Sequence, residues 1–223
     1  MKVIVTGCTG LTGGELVKEC IKNPAIEHII ALTRKPLSEA VTSHEKVTVI
    51  LHEDFSSYPP ELLSQLQGAN GCLWAIGGRA NQFPDVETAR KVSVDYTLAA
   101  AKAFVDAKLA GEAKIFRMVF CSGWLAEWDQ KKPLRFMEDS RKIKGQVEKG
   151  LADMADGQPE KFQSWFVRPG DIIPTNGSAL RKMAASLSKG IVANKLAQAM
   201  IKVLLEGYDK RILEPADIQK VLA

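Results

Sequence analysis

The sequence predicts an α/β fold built on a doubly wound, mainly parallel sheet with helices on both faces. Short β-rich runs alternate with helical stretches through most of the 223 residues, the pattern of successive β-α-β units. The strand-like runs are apolar at consecutive positions, as expected of strands covered on both sides. Glycines at 7, 10 and 13 form G-x-x-G-x-x-G between the first apolar run and the first helical period.

The elements follow in order. Residues 2–6 (KVIVT) read as a buried strand, and residues 13–22 (GGELVKECIK) as a helix that stops before Asn23-Pro24. Residues 28–33 (HIIALT) and 46–51 (KVTVIL) are the next strands, and 71–76 (GCLWAI) follows a polar helical stretch. Residues 86–109 are alanine-rich and helical, 116–121 (FRMVFC) a strand, and 139–154 a helix. Residues 164–168 (SWFVR) are a strand broken by Pro169-Gly170, 194–205 (NKLAQAMIKVLL) a helix, and 211–213 a short final strand. The irregular segment 175–190 is expected to form a small C-terminal cap over the cleft. No repeat, low-complexity tract or linker divides the chain, so 1–223 reads as one domain.

Composition bounds the function. Hydrophobic residues at 46% and charged residues at 25% are the mix of a globular protein with a sizeable core. A net charge of +4, spread along the chain, gives no footprint for nucleic acid. Cys8, Cys20, Cys72 and Cys121 form no C-x-x-C pair and have no histidine at a ligand-like spacing, which argues against a metal site or a disulfide framework. His28, His44 and His52 are scattered and take no role. No apolar run reaches signal-peptide or membrane-spanning length, so the expectation is a cytoplasmic chain without a membrane partner.

The glycine triplet has the context that gives it meaning. A strand-to-helix turn of this kind needs unusual dihedrals, close approach of a ligand and tight packing of helix on strand. The helix N-terminus behind it offers free N–H groups to a phosphate. Gly7, Thr9, Gly10, Leu11, Thr12 and Gly13 are therefore expected to hold a dinucleotide. After the second strand an NAD site places an acid for the ribose diol, whereas this chain has Thr33-Arg34-Lys35. Arg34 can grip a 2′-phosphate, so NADP (NADPH) is the expected cofactor. Asp54 and Phe55 are expected to border the adenine, and Ala75, Ile76 and Gly77 to pass beneath the dinucleotide.

In this order and spacing, GCTGLTGG, the LTR after the second strand, VSVDYTLAAAKA (92–103), FCSG (120–123), KGQVE (144–148) and VRPGDII (167–173) resemble the atypical short-chain dehydrogenase/reductase superfamily. The likeness is greatest to its small NmrA-like and Tat-interacting-protein-like Rossmann members, and it covers nearly the whole chain. It implies a serine that orients a substrate carbonyl, matched by Ser122. It implies a lysine that holds the nicotinamide ribose, matched by Lys144, and a wall beside the nicotinamide from Pro169 and Gly170. It also implies a tyrosine four residues before the lysine, where this chain has Ser140, and an asparagine near the position of Ser93. Tyr58, Tyr96 and Tyr208 are the only tyrosines, and none fits the motif. A serine is less acidic and shorter than the phenol it replaces.

Several substitutes are open. Glu127 or Asp129, in the segment 123–135 (GWLAEWDQKKPLR), could serve as acid or base if desolvation raised its pKa, with Trp124 and Trp128 as pocket walls. Their structural reading is an exposed loop whose tryptophans pack on the core. Arg79 is a second candidate at the pocket rim. Cys8 reads as a space-filling residue before a redox sensor, and Arg168 as a packing residue. Function therefore divides three ways: an NADP-dependent oxidoreductase acting on a small carbonyl or alcohol, a noncatalytic NADP(H)-sensing regulator with a protein partner, or a non-redox isomerase or cyclase using the same cleft.

Overall fold

Alternate residues of the first two strands enter opposite layers. Val3, Val5, Ile29 and Ala31 face one core, and Ile4, Ile30 and Leu32 face the other, so both sheet faces are buried, as the continuous apolar runs require. The computed structural model describes residues 1–112, 114–178 and 189–223. Strands β1 (Lys2–Thr6), β2 (His28–Thr33), β3 (Val47–Leu51), β4 (Gly71–Trp74), β5 (Phe116–Cys121), β6 (Phe162–Val167) and β9 (Ile212–Leu213) form one seven-stranded sheet in the order β3-β2-β1-β4-β5-β6-β9. Every pairing in it is parallel. A separate two-stranded ribbon joins β7 (Ile172–Ile173) to β8 (Ile191–Val192).

The helices segregate by face. On one side α3 (Pro60–Leu66), α5 (Tyr96–Asp106) and α6 (Glu138–Gly157) bury Leu66, Phe104 and Val147. On the other, α1 (Leu11–Lys22), α7 (Ala193–Glu206) and α8 (Pro215–Leu222) bury Leu16, Leu196 and Ile218. Short α2 (Glu39–Thr42) and α4 (Val86–Arg90) complete the α-helices among the described residues, beside a 3-10 turn at Ala80–Gln82. The expected α/β, doubly wound architecture is thus the observed one.

The differences are local. The helical stretch expected at 86–109 is α4, a wider π-type turn over Lys91–Asp95, and α5. The strand expected at 71–76 ends at Trp74, because Ala75 and Ile76 already leave the sheet toward the cleft. Strand β6 begins two residues earlier than expected, paired with β5 from Phe116↔Phe162 onward. Of the expected cap at 175–190, residues 179–188 lie outside the described residues. The winding reverses between β1 and β4, which places a crevice outside their carboxyl ends.

Candidate functional site

The crevice is built on the glycine turn. Gly7 has φ +66°, and a Cβ there would lie 2.5 Å from the Ala75 carbonyl oxygen, so only glycine lets β1 turn against the end of β4. A Cβ on Gly13 would lie 2.1 Å from the Gly7 carbonyl oxygen, so the first turn of α1 rests directly on the loop. Gly10 differs: its φ of −89° and ψ of 173° suit any residue, and a Cβ would meet only the Gly7 oxygen, at 3.2 Å. Its bareness therefore serves the open side of the turn.

Helix α1 has no side-chain cap at Gly10 and no acid in its first turn. The N–H groups of Leu11, Thr12 and Gly13 precede the first helical bond, from Gly14 N–H to the Gly10 carbonyl at 2.9 Å, and the positive end of the helix is left uncompensated. Thr9, Gly10 and Leu11 are exposed there, while Thr12 is buried. Cys8 donates its thiol to the Val5 carbonyl at 3.2 Å, and burial pushes its pKa up to about 12, which suits space filling and not redox chemistry.

Arg34 and Lys35 follow β2 at the same end of the sheet, both exposed and without an acidic partner among the described residues. Beside them and the glycine turn lies a cavity of about 310 Å³ whose lining includes Thr9, Lys18, Leu37 and Ser38. Asp54 is exposed and folds back on Ser56, accepting from its N–H at 3.0 Å and its hydroxyl at 2.5 Å, bonds that hold its carboxyl below the usual range. Phe55 is buried, its ring against Trp74 and His52.

At the carboxyl end of β4, Ala75 and Ile76 are half-buried and Gly77 is exposed with φ +118°. A Cβ on Gly77 would lie 3.1 Å from Ser93 Oγ and 3.4 Å from Lys144 Nζ, so these three residues converge. Ser93 Oγ is buried without a hydrogen-bond partner among the described residues. It lies in the π-type turn, a distortion common at functional sites. Lys144 Nζ donates to the Cys121 carbonyl at 3.1 Å and lies 4.7 Å over the Phe120 ring. Burial lowers the pKa of its ammonium, with the Cys121 thiol and Glu148 opposing that shift.

Ser122 is drawn elsewhere. Its hydroxyl donates to Glu148 at 2.5 Å, and Glu148 also accepts from Trp128 Nε1 at 2.6 Å and from Arg168 at 2.9 and 2.5 Å. Glu148 is wholly buried, and Arg168 reaches on to Glu214 at 2.9 Å. This polar core is the feature that sequence reasoning missed. Its signals were a glutamate one helical turn after Lys144 and an arginine closing β6. Arg168 packs structurally, as expected, and Trp128 serves the same network.

Ser140 Oγ accepts the Ala80 N–H at 2.8 Å and so fastens the loop after Gly77 to α6. Arg79, on that loop, pairs with Asp171 at 2.8 Å, joining the loops that follow β4 and β6. Pro169 is buried and its carbonyl accepts from Trp124 N–H at 2.8 Å, while Gly170 is half-buried beside it. Glu127 is salt-bridged to Lys132 at 2.6 Å, which holds its carboxyl below the usual range and so opposes the shift that an acid catalyst needs. Among the described residues no cluster of side chains suits a metal ion, and no helix is long and apolar enough to cross a membrane.

No family model matches the chain. Carbonyl reductase Sniffer of D. melanogaster superimposes with a TM-score of 0.72 at 16% identity, over 97% of this chain and 96% of that one. Gre2 of Candida albicans, in complex with NADPH, does so with a TM-score of 0.70 at 17% identity, over 95% of this chain and 77% of that one. This chain shares its Rossmann-type fold with both. The expected resemblance is borne out at the level of the fold. Among curated relatives, leucinostatins biosynthesis cluster protein T of Purpureocillium lilacinum is 40% identical over 77 residues, 34% of this chain. Protein fmp52, mitochondrial, of Emericella nidulans is 27% identical over 150 residues, 67% of this chain. The chain spans 28% and 59% of the length of these two relatives.

Proposed function

We propose that this chain is an NADP(H)-dependent oxidoreductase of the atypical short-chain dehydrogenase/reductase type, acting on a small carbonyl or alcohol. The observations that carry the reading are an uncapped, acid-free helix N-terminus at the glycine turn, an exposed arginine after β2 without an acidic partner among the described residues, and a lysine beside Gly77 after β4. The residues fit the cofactor. The N–H groups of Leu11–Gly13 would receive the pyrophosphate, Arg34 the 2′-phosphate, and the exposed face of Gly77 would accept close approach of the dinucleotide. A bound nicotinamide would supply hydride; Lys144 would hold its ribose, and Pro169 and Gly170 would form the wall beside it. The NADPH named in the Gre2 complex supports the cofactor, and the carbonyl reductase named in the Sniffer structure supports the substrate class.

Fluorescence titration tests the cofactor. A charged hydrogen bond contributes about 1.5–3 kcal/mol. The protein is expected to bind NADPH about 10- to 100-fold tighter than NADH, and Arg34→Ala to remove that preference. Equal affinity of the unaltered protein for the two would refute the assignment.

A second reading is a noncatalytic NADP(H)-sensing regulator that signals to a partner protein. It is favoured by the two serines of the expected site, because the Ser122 hydroxyl donates to Glu148 and Ser140 Oγ accepts the Ala80 N–H. Tight NADPH binding without NADPH consumption on methylglyoxal or isovaleraldehyde, the aldehydes named for yeast Gre2, separates it from the first. The four buried, unpaired thiols support residence in a reducing compartment, which we take to be the cytoplasm. The relative named mitochondrial makes organelle import the alternative for a localisation experiment.

A further inference from the structure

We propose that Lys144 itself donates the proton to the substrate oxygen, in place of the phenol this chain lacks; the inference rests on the reading of the crevice as a carbonyl-reducing site. It follows from asking which protons the crevice can spare. No tyrosine lies between Thr97 and Gly207. The Ser122 hydroxyl points into the protein, bound at 2.5 Å to a carboxylate that Trp128 and Arg168 hold fixed. Ser140 is turned toward the loop it fastens, where its oxygen accepts the Ala80 N–H, and an aliphatic hydroxyl such as that of Ser140 or Ser93 is a far weaker acid than an ammonium. Glu127 is ion-paired with Lys132 and carries no proton at neutral pH.

Lys144 is differently placed. Its ammonium has three N–H donors and gives one, to the Cys121 carbonyl; the others have no acceptor among the described residues. Its nitrogen is 3.4 Å from the point that a Cβ on Gly77 would occupy, so it stands at the patch of backbone that Gly77 leaves bare. From the neighbouring turn the orphaned Ser93 hydroxyl faces the same point.

The charges around it are few. Its own helix contributes Glu148, whose negative charge is taken up by Arg168, and β5 contributes the Cys121 thiol. No carboxylate makes an ion pair with Nζ among the described residues. Burial acts in the direction that makes an ammonium a better acid.

The step balances with a reduced nicotinamide as hydride donor. Hydride adds to the carbonyl carbon and the C=O π pair moves to oxygen. That oxygen takes a proton from the Lys144 ammonium, whose N–H pair stays on nitrogen. The products are an alcohol, the oxidised nicotinamide and a neutral amine, and the amine regains a proton from water. An alkoxide is a far stronger base than an amine, so the transfer runs downhill.

The test uses the full chain, NADPH, methylglyoxal and isovaleraldehyde, with Lys144→Arg as the variant that keeps the charge but holds its proton too tightly to give it. General acid catalysis contributes about 10²- to 10⁴-fold, so Lys144→Arg is expected to lower kcat at least 100-fold while NADPH affinity stays within about tenfold. In the unaltered protein kcat falls as pH rises through one ionisation below the ordinary lysine range, since the protonated form is required. Independently of activity, the 13Cε resonance lost in Lys144→Arg titrates at that same pH, below the other lysines, and moves when NADPH is added. A kcat within threefold in Lys144→Arg, or a Lys144 resonance that titrates with the other lysines, overturns the proposal. NADPH binding without turnover of either aldehyde overturns it too, in favour of the sensor. No NADPH binding at all overturns the reading of the crevice on which it rests.

Discussion

The glycine turn separates residues needed for the fold from residues needed for a ligand, and the two can be told apart by substitution. In Gly13→Ala the added methyl would meet the Gly7 carbonyl oxygen at 2.1 Å, its carbon at 2.4 Å and the Thr6 carbonyl oxygen at 2.8 Å. All three are backbone atoms of the β1 turn, so no side-chain rotation relieves the clash, and α1 must move by roughly 1 Å. Overpacking of this kind costs about 1–3 kcal/mol, and more where the neighbour is rigid. The helix propensity of alanine over glycine returns up to about 1 kcal/mol. A net loss of about 2 kcal/mol is expected, which for a chain of this size lowers Tm by about 4–8 °C. At Gly10 the backbone is already ordinary and a methyl meets a single atom at 3.2 Å, so Gly10→Val should unfold within about 1 kcal/mol of the unaltered protein. The same Gly10→Val protein should fail to bind NADPH, since its branched side chain covers the open side of the turn. Urea and thermal unfolding measure the first quantity, and NADPH fluorescence the second. Gly13→Ala as stable as the unaltered protein, or Gly10→Val that still binds NADPH, would refute the division of roles.

Two further substitutions probe the interior beside the crevice. Glu148→Ala leaves the buried Arg168 with only the half-exposed Glu214, and a loss near the low end of the range for a broken buried pair, about 3 kcal/mol, should appear in urea unfolding. An unchanged midpoint would show the network to be without energetic weight. Ser140→Ala should cost about 1 kcal/mol or less through the lost bond to Ala80 and leave kcat on methylglyoxal within threefold, whereas Ser140→Tyr should displace the Arg79 loop and not restore a catalytic phenol. A large kcat loss in Ser140→Ala would make Ser140 part of the proton path.

Much of this protein is written in local pattern. The period of the apolar runs and the glycine triplet depend on near neighbours in the chain, so β1, the turn, α1 and the seven main-sheet strands were legible from residues alone, as was the presence of Arg34 where an acid would stand, whereas α2, the β7–β8 ribbon and the C-terminal α8 were not. The absence of a motif tyrosine was equally plain, because absence needs no geometry. Which way a side chain points was not. Phe55 is buried, its ring packed against Trp74 and His52, elements that meet it only in the fold. Glu127 became an ion pair and not a raised acid, because the chain brings Lys132 back to it. The Ser122 hydroxyl donates to Glu148 only because β5, α6 and β6 meet there, 26 residues apart in one step and 20 in the next. Likewise the meeting of Gly77, Ser93 and Lys144 joins a strand end, a distorted helical turn and a second helix, and a sequence read along its length cannot measure the distances across it.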